Sequence, residues 1–149
     1  MITIRDAVES DIPAIVSFQE RMAFETEEIS LETQILQKGV KALFDNPLKG
    51  KYFVSIDEKR VIATLLITYE WSDWRNRTIF WIQSVFVDPI FRRKGVYRQM
   101  YEHIQKLAEK DETVGGIRLY VDRSNSNAQM TYTSLGMNGE HYQVFEWMK

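Results

Sequence analysis

Val85-Phe86-Val87-Asp88-Pro89-Ile90-Phe91-Arg92-Arg93-Lys94-Gly95-Val96-Tyr97-Arg98 runs from a β-branched apolar segment, through a proline, into a basic loop with one glycine and then into a helical pattern. Strand, basic loop and helix N-terminus in that order make an anion site. The first N–H groups of a helix lack intrahelical acceptors, and the helix dipole adds partial positive charge there. Gly95 removes a side chain where the backbone must come closest to a guest. Arg92, Arg93, Lys94 and Arg98 gather positive charge in a chain whose net charge is only -2. Phosphate suits this arrangement. A plain surface loop would also be basic, but this one follows the C-terminal end of a hydrophobic strand, where α/β proteins place their ligands.

Helical and strand periodicities extend outward from this segment. Downstream, Val96, Met100, Ile104, Leu107 and Ala108 recur on one face of a helix. Ile117 to Val121 reads as a strand, Ala128 to Leu135 as a short helix stopped by Gly136, and Tyr142 to Met148 as a final strand. Upstream, Thr78 to Val87 is a strand rich in aromatic and β-branched residues. Tyr52–Ile56 and Val61–Ile67 flank a polar turn and predict a hairpin. Ile2–Arg5 alternates as an opening strand. Asp11, ahead of Pro13, offers a cap to a first helix. Ser30 offers one to a second helix with the stripe Leu31, Ile35, Leu36, Val40, Leu43 and Phe44, ended by Asn46-Pro47. The order β-α-α-β-β-β-α-β-α-β mixes hairpins with crossover helices. It predicts an α+β fold with a mixed, mostly antiparallel central sheet and flanking helices.

Composition narrows the chemistry. The 149 residues suit one domain, 44% of them hydrophobic and 27% charged. With no cysteine there is no thiol nucleophile, disulfide or thiolate-bound metal. His103 and His141 are too few for a histidine-rich zinc site, so no metal is expected. No apolar run approaches the ~20 residues that span a bilayer, and the N-terminus shows no signal pattern, so a cytoplasmic protein with no membrane partner is expected. An acidic pI of about 5.7 and a single basic patch argue against nucleic acid as a partner.

Arg92-Arg93-Lys94-Gly95-Val96-Tyr97 resembles the Gln/Arg-x-x-Gly-x-Gly/Ala loop of the GNAT superfamily of N-acyltransferases. Asn125, Ala128, Tyr132 and Leu135-Gly136-Met137 resemble that superfamily's Asn-x-x-Ala-x-x-x-Tyr-x-x-Leu-Gly-Phe segment, in the right order and with a strand between. Glu25-Thr26-Glu27, Trp71–Arg75 and Trp81–Val85 further resemble a subgroup of small bacterial members. Two departures stand out. Tyr97 replaces a small residue, so either the loop diverges or the ring turns inward, and Met137 replaces a phenylalanine.

The resemblance implies a single N-acetyltransferase domain over residues 1–149 that uses acetyl-coenzyme A as cosubstrate. It implies that backbone amides over Arg93–Arg98 hold the pyrophosphate, with Arg92, Arg93, Lys94, Gly95, Val96, Tyr97 and Arg98 forming the cradle. It implies that Val85 and Val87, on a strand splayed from its neighbour near Ser84, pair with the pantetheine arm, while the Val85 amide polarises the thioester carbonyl. Asn125 would cap its helix, contact the cofactor, or both. Tyr132 would be the general acid, a phenol holding its proton at neutral pH; as a helix tyrosine it could equally be packing.

The general base is not apparent. Gln83 and Ser84 stand where many relatives carry a glutamate on this strand, and neither is an efficient base. For the acceptor, the candidate residues are Glu25 and Glu27 between the first two helices, Gln83, and Trp71, Asp73 and Trp74. Two aromatic faces around a carboxylate suit a cationic amine. The alternatives are a solvated acidic run at Glu25–Glu28 and tryptophans that merely cover the end of the sheet. The function expected is acetyl transfer to a primary amine, of a small molecule, by direct transfer in a ternary complex. A non-catalytic acyl-coenzyme A sensor is the alternative, and a homodimer is left open.

Overall fold

Phe53 and Val54 are adjacent on one strand and are both buried, so they face opposite sides of the sheet and each needs a helical layer. Val54 joins Ile15 and Val16 of the first helix, Val40 of the second, and Tyr52 and Leu66 in a core cluster. The Phe53 ring meets His103 of the third helix edge-on, with centroids 5.6 Å apart.

A computed structural model describes residues 1–149, which fall into two units, Met1–Arg118 and Leu119–Lys149. The first contains β1 (Ile2–Asp6), α1 (Ile12–Glu27), α2 (Thr33–Asp45), β2 (Lys51–Asp57), β3 (Arg60–Ser72), β4 (Arg77–Val87), α3 (Val96–Lys110) and β5 (Val114–Arg118). The five strands lie in sequence order. β1 to β4 pair antiparallel, and β5 runs parallel to β4. The expected mixed, mostly antiparallel sheet with flanking helices is what forms. One register row crosses four strands, through Ile4, Ser55, Ala63 and Val87.

Asp11 stands at the N-cap of α1 but does not cap it. Its carboxylate turns back to accept from both Arg5 guanidinium nitrogens, at 2.7 and 3.0 Å, and from the Val8 N–H at 2.8 Å. Burial raises its pKa, but the Arg5 and Val8 hydrogen bonds and the Arg5 charge outweigh that, leaving it below the usual carboxylate range. The second helix begins at Thr33 rather than after Ser30, and Leu31 and Ile35 of its expected stripe are exposed.

The fifth strand begins three residues earlier than its apolar run suggested. Val114, Gly116, Ile117 and Arg118 pair with the start of β4, from Thr78 to Trp81. Gly115 lets the strands approach there, since a Cβ on it would come within 3.2 Å of the Arg77 Cβ and 3.3 Å of the Ile79 Cδ1.

The second unit holds one helix, α4 (Ser126–Ser134). Gly136, at φ 87°, ends it, and the Gly136 and Met137 N–H groups return to the Thr133 and Tyr132 carbonyls at 3.0 and 3.1 Å. The strand expected at Tyr142–Met148 does not form. Alternating side chains specify a strand only where a ladder partner exists, and this unit has no other strand to supply one.

Candidate active site

The β5 ladder stops at Trp81↔Arg118, while β4 continues to Val87. From Ile82 onward, β4 leaves its parallel neighbour. Within that stretch the register with β3 slips. Gln83 pairs with Leu66 and Phe86 with Thr64, so Ser84 and Val85 stand opposite Leu65 alone. This is a β-bulge, and Ser84 sits in it at φ 51°, a value rare for a residue with a Cβ. Bulges of this kind redirect backbone groups out of a ladder. Gln83 donates its Nε2–H to the Thr68 hydroxyl across the strand pair, which ties up part of its amide.

Beyond β4 the chain makes a short 3-10 turn at Pro89–Phe91. Asp88 is only 3% exposed and organises this turn. Its carboxylate accepts from the Ile90 N–H at 3.2 Å and from Arg60 at 2.5 Å, with Arg21 at 3.7 Å. Arg93 takes φ 62°, and Gly95 takes φ 78° at the N-cap of α3. The first bond inside α3 runs from the Gln99 N–H to the Gly95 carbonyl at 3.0 Å. A Cβ at Gly95 would meet nothing within 4 Å. The glycine therefore answers to its backbone conformation and leaves the mouth of the helix open. Tyr97 is already helical, so the loop does not diverge there, and its hydroxyl oxygen is shielded from solvent. The ring has turned inward.

The basic side chains of the loop are not equivalent. Arg92 donates through Nη1 and Nη2 to both carboxylate oxygens of Glu25, the Nη2 bond measuring 2.8 Å, and through Nε to the Val87 carbonyl at 2.9 Å. Its guanidinium lies 5.3 Å from the Phe86 ring centre, and that of Arg21 lies 5.0 Å from it. Lys94 lies 5.2 Å from the Phe91 ring centre and is exposed, as is Arg93. The Glu25 hydrogen bond raises the pKa of Arg92, and the reciprocal bond holds Glu25 below the usual carboxylate range.

Val85, Val87, Arg92–Val96 and Glu25 thus come together around the end of β4. Trp71, Asp73 and Trp74 do not join them. They occupy the hairpin tip between β3 and β4, and Thr78 pairs there with Trp71. Val85 lies seven positions beyond Thr78, about 23 Å of strand at ~3.3 Å per residue. Trp74 is 91% exposed. Glu27 ends α1 and is exposed. A cavity of about 420 Å³ lies among Leu43, Phe44, Pro47, Tyr52 and Tyr69, and none of these expected residues lines it. Sequence reading missed Gln19, Arg21, Arg60 and Asp88. Of these only Asp88 carried a local signal, an aspartate directly before a proline at a strand end.

The sequence pattern of the acetyltransferase (GNAT) family matches residues 12–137. The chain belongs to that family. The whole fold superposes on a possible acetyltransferase from Clostridium difficile 630, with TM-score 0.93 and 44% identity, covering 100% of this chain and 98% of that one. It also resembles a predicted acetyltransferase with acetyl-CoA from Clostridium acetobutylicum, with TM-score 0.77 and 18% identity, covering 98% of this chain and 96% of the other. Glucosamine-6-phosphate N-acetyltransferase from Arabidopsis thaliana gives TM-score 0.77 at 18% identity over 100% and 99% of the two chains. At such identity the last two speak for the fold alone. No curated protein matches the sequence.

GNAT acetyltransferases use acetyl-coenzyme A. The first unit fits it in three respects: the open mouth at Gly95, the exposed cations of Arg93 and Lys94, and a β4 segment without its parallel partner. In the second unit, Asn125 caps α4, its Oδ1 accepting the Ala128 N–H at 3.1 Å. Tyr132 lies on the same helix, half-buried.

Proposed function

We propose that this GNAT acetyltransferase acts as a single domain over residues 1–149 and acetylates a small primary amine by direct transfer in a ternary complex. The observation that carries the reading is the departure of β4 from β5 beyond Trp81, with a bulge at Ser84–Val85, leading straight into the Gly95 loop. The family match crosses the boundary between the two units, which supports one functional domain.

Acetyl-coenzyme A supplies the activated acyl group and a thiolate leaving group. The backbone from Arg93 to Arg98, with Arg93 and Lys94, holds its pyrophosphate. Val87 has a carbonyl already engaged by Arg92 Nε, so it offers the pantetheine arm only its second lone pair. The Val85 N–H faces the oxygen on which negative charge develops as the amine attacks. Asn125 contributes to the cofactor site from the N-terminus of α4. The ammonium form of the acceptor sheds one proton to water before it attacks, and the attacking nitrogen gives a second to water as the C–S bond breaks; Tyr132 donates its phenolic proton to the departing sulfur and is reprotonated from water. Glu25, Glu27 and Gln83 receive the acceptor; Arg92 already answers the Glu25 charge, so Glu27 is the carboxylate that meets the ammonium form. Such an enzyme works where acetyl-coenzyme A is made and consumed, in the cytoplasm.

The test is a panel of small amines assayed for coenzyme A release, with thermal shift in acetyl-coenzyme A run alongside. Stabilisation by the thioester and turnover with at least one amine are expected. Tyr132→Phe should keep the stabilisation and lose roughly 10²-fold in kcat. A chain neither stabilised by the thioester nor active on any amine would overturn the reading.

A further inference from the structure

Gln19 is a primary amide buried to 5% exposure on the inner face of α1. A polar side chain is rarely found so deep unless it has a specific partner. Its partner is a single backbone atom. Gln19 Nε2 donates to the Ser84 carbonyl at 3.3 Å, across 65 residues of sequence. Ser84 is the residue that takes φ 51° in the β4 bulge.

The Ser84 carbonyl and the Val85 N–H belong to the same peptide unit. That unit is planar and trans, so the two groups point in opposite directions and cannot turn independently. A donor that holds the Ser84 carbonyl toward α1 therefore aims the Val85 N–H away from α1. We propose that Gln19 is a positioning residue, fixing through the Ser84 carbonyl the direction of the Val85 amide that polarises the thioester. This rests on the functional reading above.

The surroundings make the hold rigid. Phe18, next to Gln19, packs on Phe86 with ring centres 5.0 Å apart. Arg21 lies over both of those rings, at 5.5 and 5.0 Å. The helix is thus pinned to β4 just past the bulge, and the amide reaches the carbonyl of the residue that takes φ 51° within it. An apolar residue at position 19 would fill the space equally well. Only the hydrogen bond distinguishes the glutamine.

The experiment compares wild type with Gln19→Met, of similar length but with no donor, using acetyl-coenzyme A labelled with carbon-13 at the thioester carbonyl. Three quantities are read: the dissociation constant by calorimetry, the carbonyl stretching frequency of the bound thioester by difference infrared spectroscopy, and kcat with an amine from the panel. In wild type the bound carbonyl should absorb at lower frequency than the free one. Gln19→Met should bind within about threefold of wild type, return the frequency toward the free value, and lose roughly ten- to a hundredfold in kcat, somewhat less than deletion of an oxyanion donor itself. Unchanged frequency and kcat would overturn the proposal, as would affinity and kcat falling in parallel. Should Gln19→Met not fold, Gln19→Met in a Ser84→Gly background relieves the positive φ and is read the same way. If wild type lowers the bound carbonyl frequency but acetylates no amine, the functional reading fails while the frequency still judges Gln19. If wild type does not bind the thioester, both fail.

Discussion

Glu25 at the end of α1 and Arg92 in the loop before α3 form a two-pronged ion pair that joins the helix expected to border the acceptor to the loop expected to hold the cosubstrate. Arg92 also donates to the Val87 carbonyl and packs over Phe86, so the same guanidinium clamps the end of β4. Its charge is largely answered from within the chain. The positive field for a pyrophosphate then comes mainly from Arg93, Lys94 and the N-terminus of α3.

Removing the carboxylate should therefore strengthen cosubstrate binding. Both partners are more than one-third exposed, so the pair is worth only about 0–1 kcal/mol to folding and Glu25→Gln should melt close to wild type. With Arg92 released to face the anion, acetyl-coenzyme A affinity should rise about two- to fivefold at low salt and converge on wild type as screening sets in. Acidification acts in the same direction. The folded protein holds Glu25 below its ordinary pKa through Arg92, so the small stability it contributes is present above the unfolded value and lost as pH falls through the folded one. Calorimetric titrations at two salt concentrations check this, and weaker binding by Glu25→Gln would contradict it.

Gly95→Ala separates backbone strain from ligand access. A residue with a Cβ at φ 78° costs about 1–2 kcal/mol. The added methyl would touch nothing within 4 Å in the protein, so no steric cost follows. It would stand in the space that a pyrophosphate needs. The affinity for acetyl-coenzyme A should fall at least tenfold while the fold survives with a modest loss in Tm. Gly139→Ala, where the added Cβ is equally free and φ is not positive, should leave both unchanged.

The helices and the hairpin were legible because each has a periodic face. α3 buries Val96, Met100 and Ile104 as its spacing requires, and β2 and β3 follow their apolar runs. The basic loop was legible because glycine and charge mark it. What escaped was set by contacts between distant segments. Gln19 looks like any polar helix residue until Ser84 is brought to it, and Arg60 looks like a turn residue until Asp88 takes up its guanidinium. The composition of the Trp71–Trp74 motif suits a cationic amine, and only the pairing of β3 with β4 sets it at the other end of β4 from Val85. Tyr142–Met148 has the alternation of a strand, yet alternation does not supply a partner.

Asp88 should be the most sensitive surface-loop position for stability. It is buried, accepts from Arg60 and from the Ile90 N–H, and lies 3.7 Å from Arg21. Truncation to Ala leaves those donors to water and removes the cap. Loss of a hydrogen bond to a charged group costs about 1.5–3 kcal/mol. Asp88→Asn keeps an acceptor for Ile90 and should cost less than Asp88→Ala. Urea denaturation measures both, and equal losses would mean that the charge carries the whole effect and the cap acceptor adds nothing to it.

His103 should give the first unit a measurable pH dependence. Burial against the Phe53 ring lowers its pKa, the charges of Lys106, Lys51 and Lys110 lower it further, and Asp6 opposes them. The unfolded chain then binds a proton more readily than the folded one, so stability rises with pH wherever the two states differ in charge. The contribution is fully present above the unfolded value of about 6.5 and is lost as pH falls through the folded value. His103→Phe keeps an aromatic edge toward Phe53 and cannot titrate. Subtracting its urea-unfolding stability from that of wild type, pH by pH, cancels the carboxylates common to both. The difference should fall steadily on acidification from about pH 7 and level off once the folded histidine has also charged. A difference that stayed flat across that range would show that the ring is as well solvated in the fold as out of it.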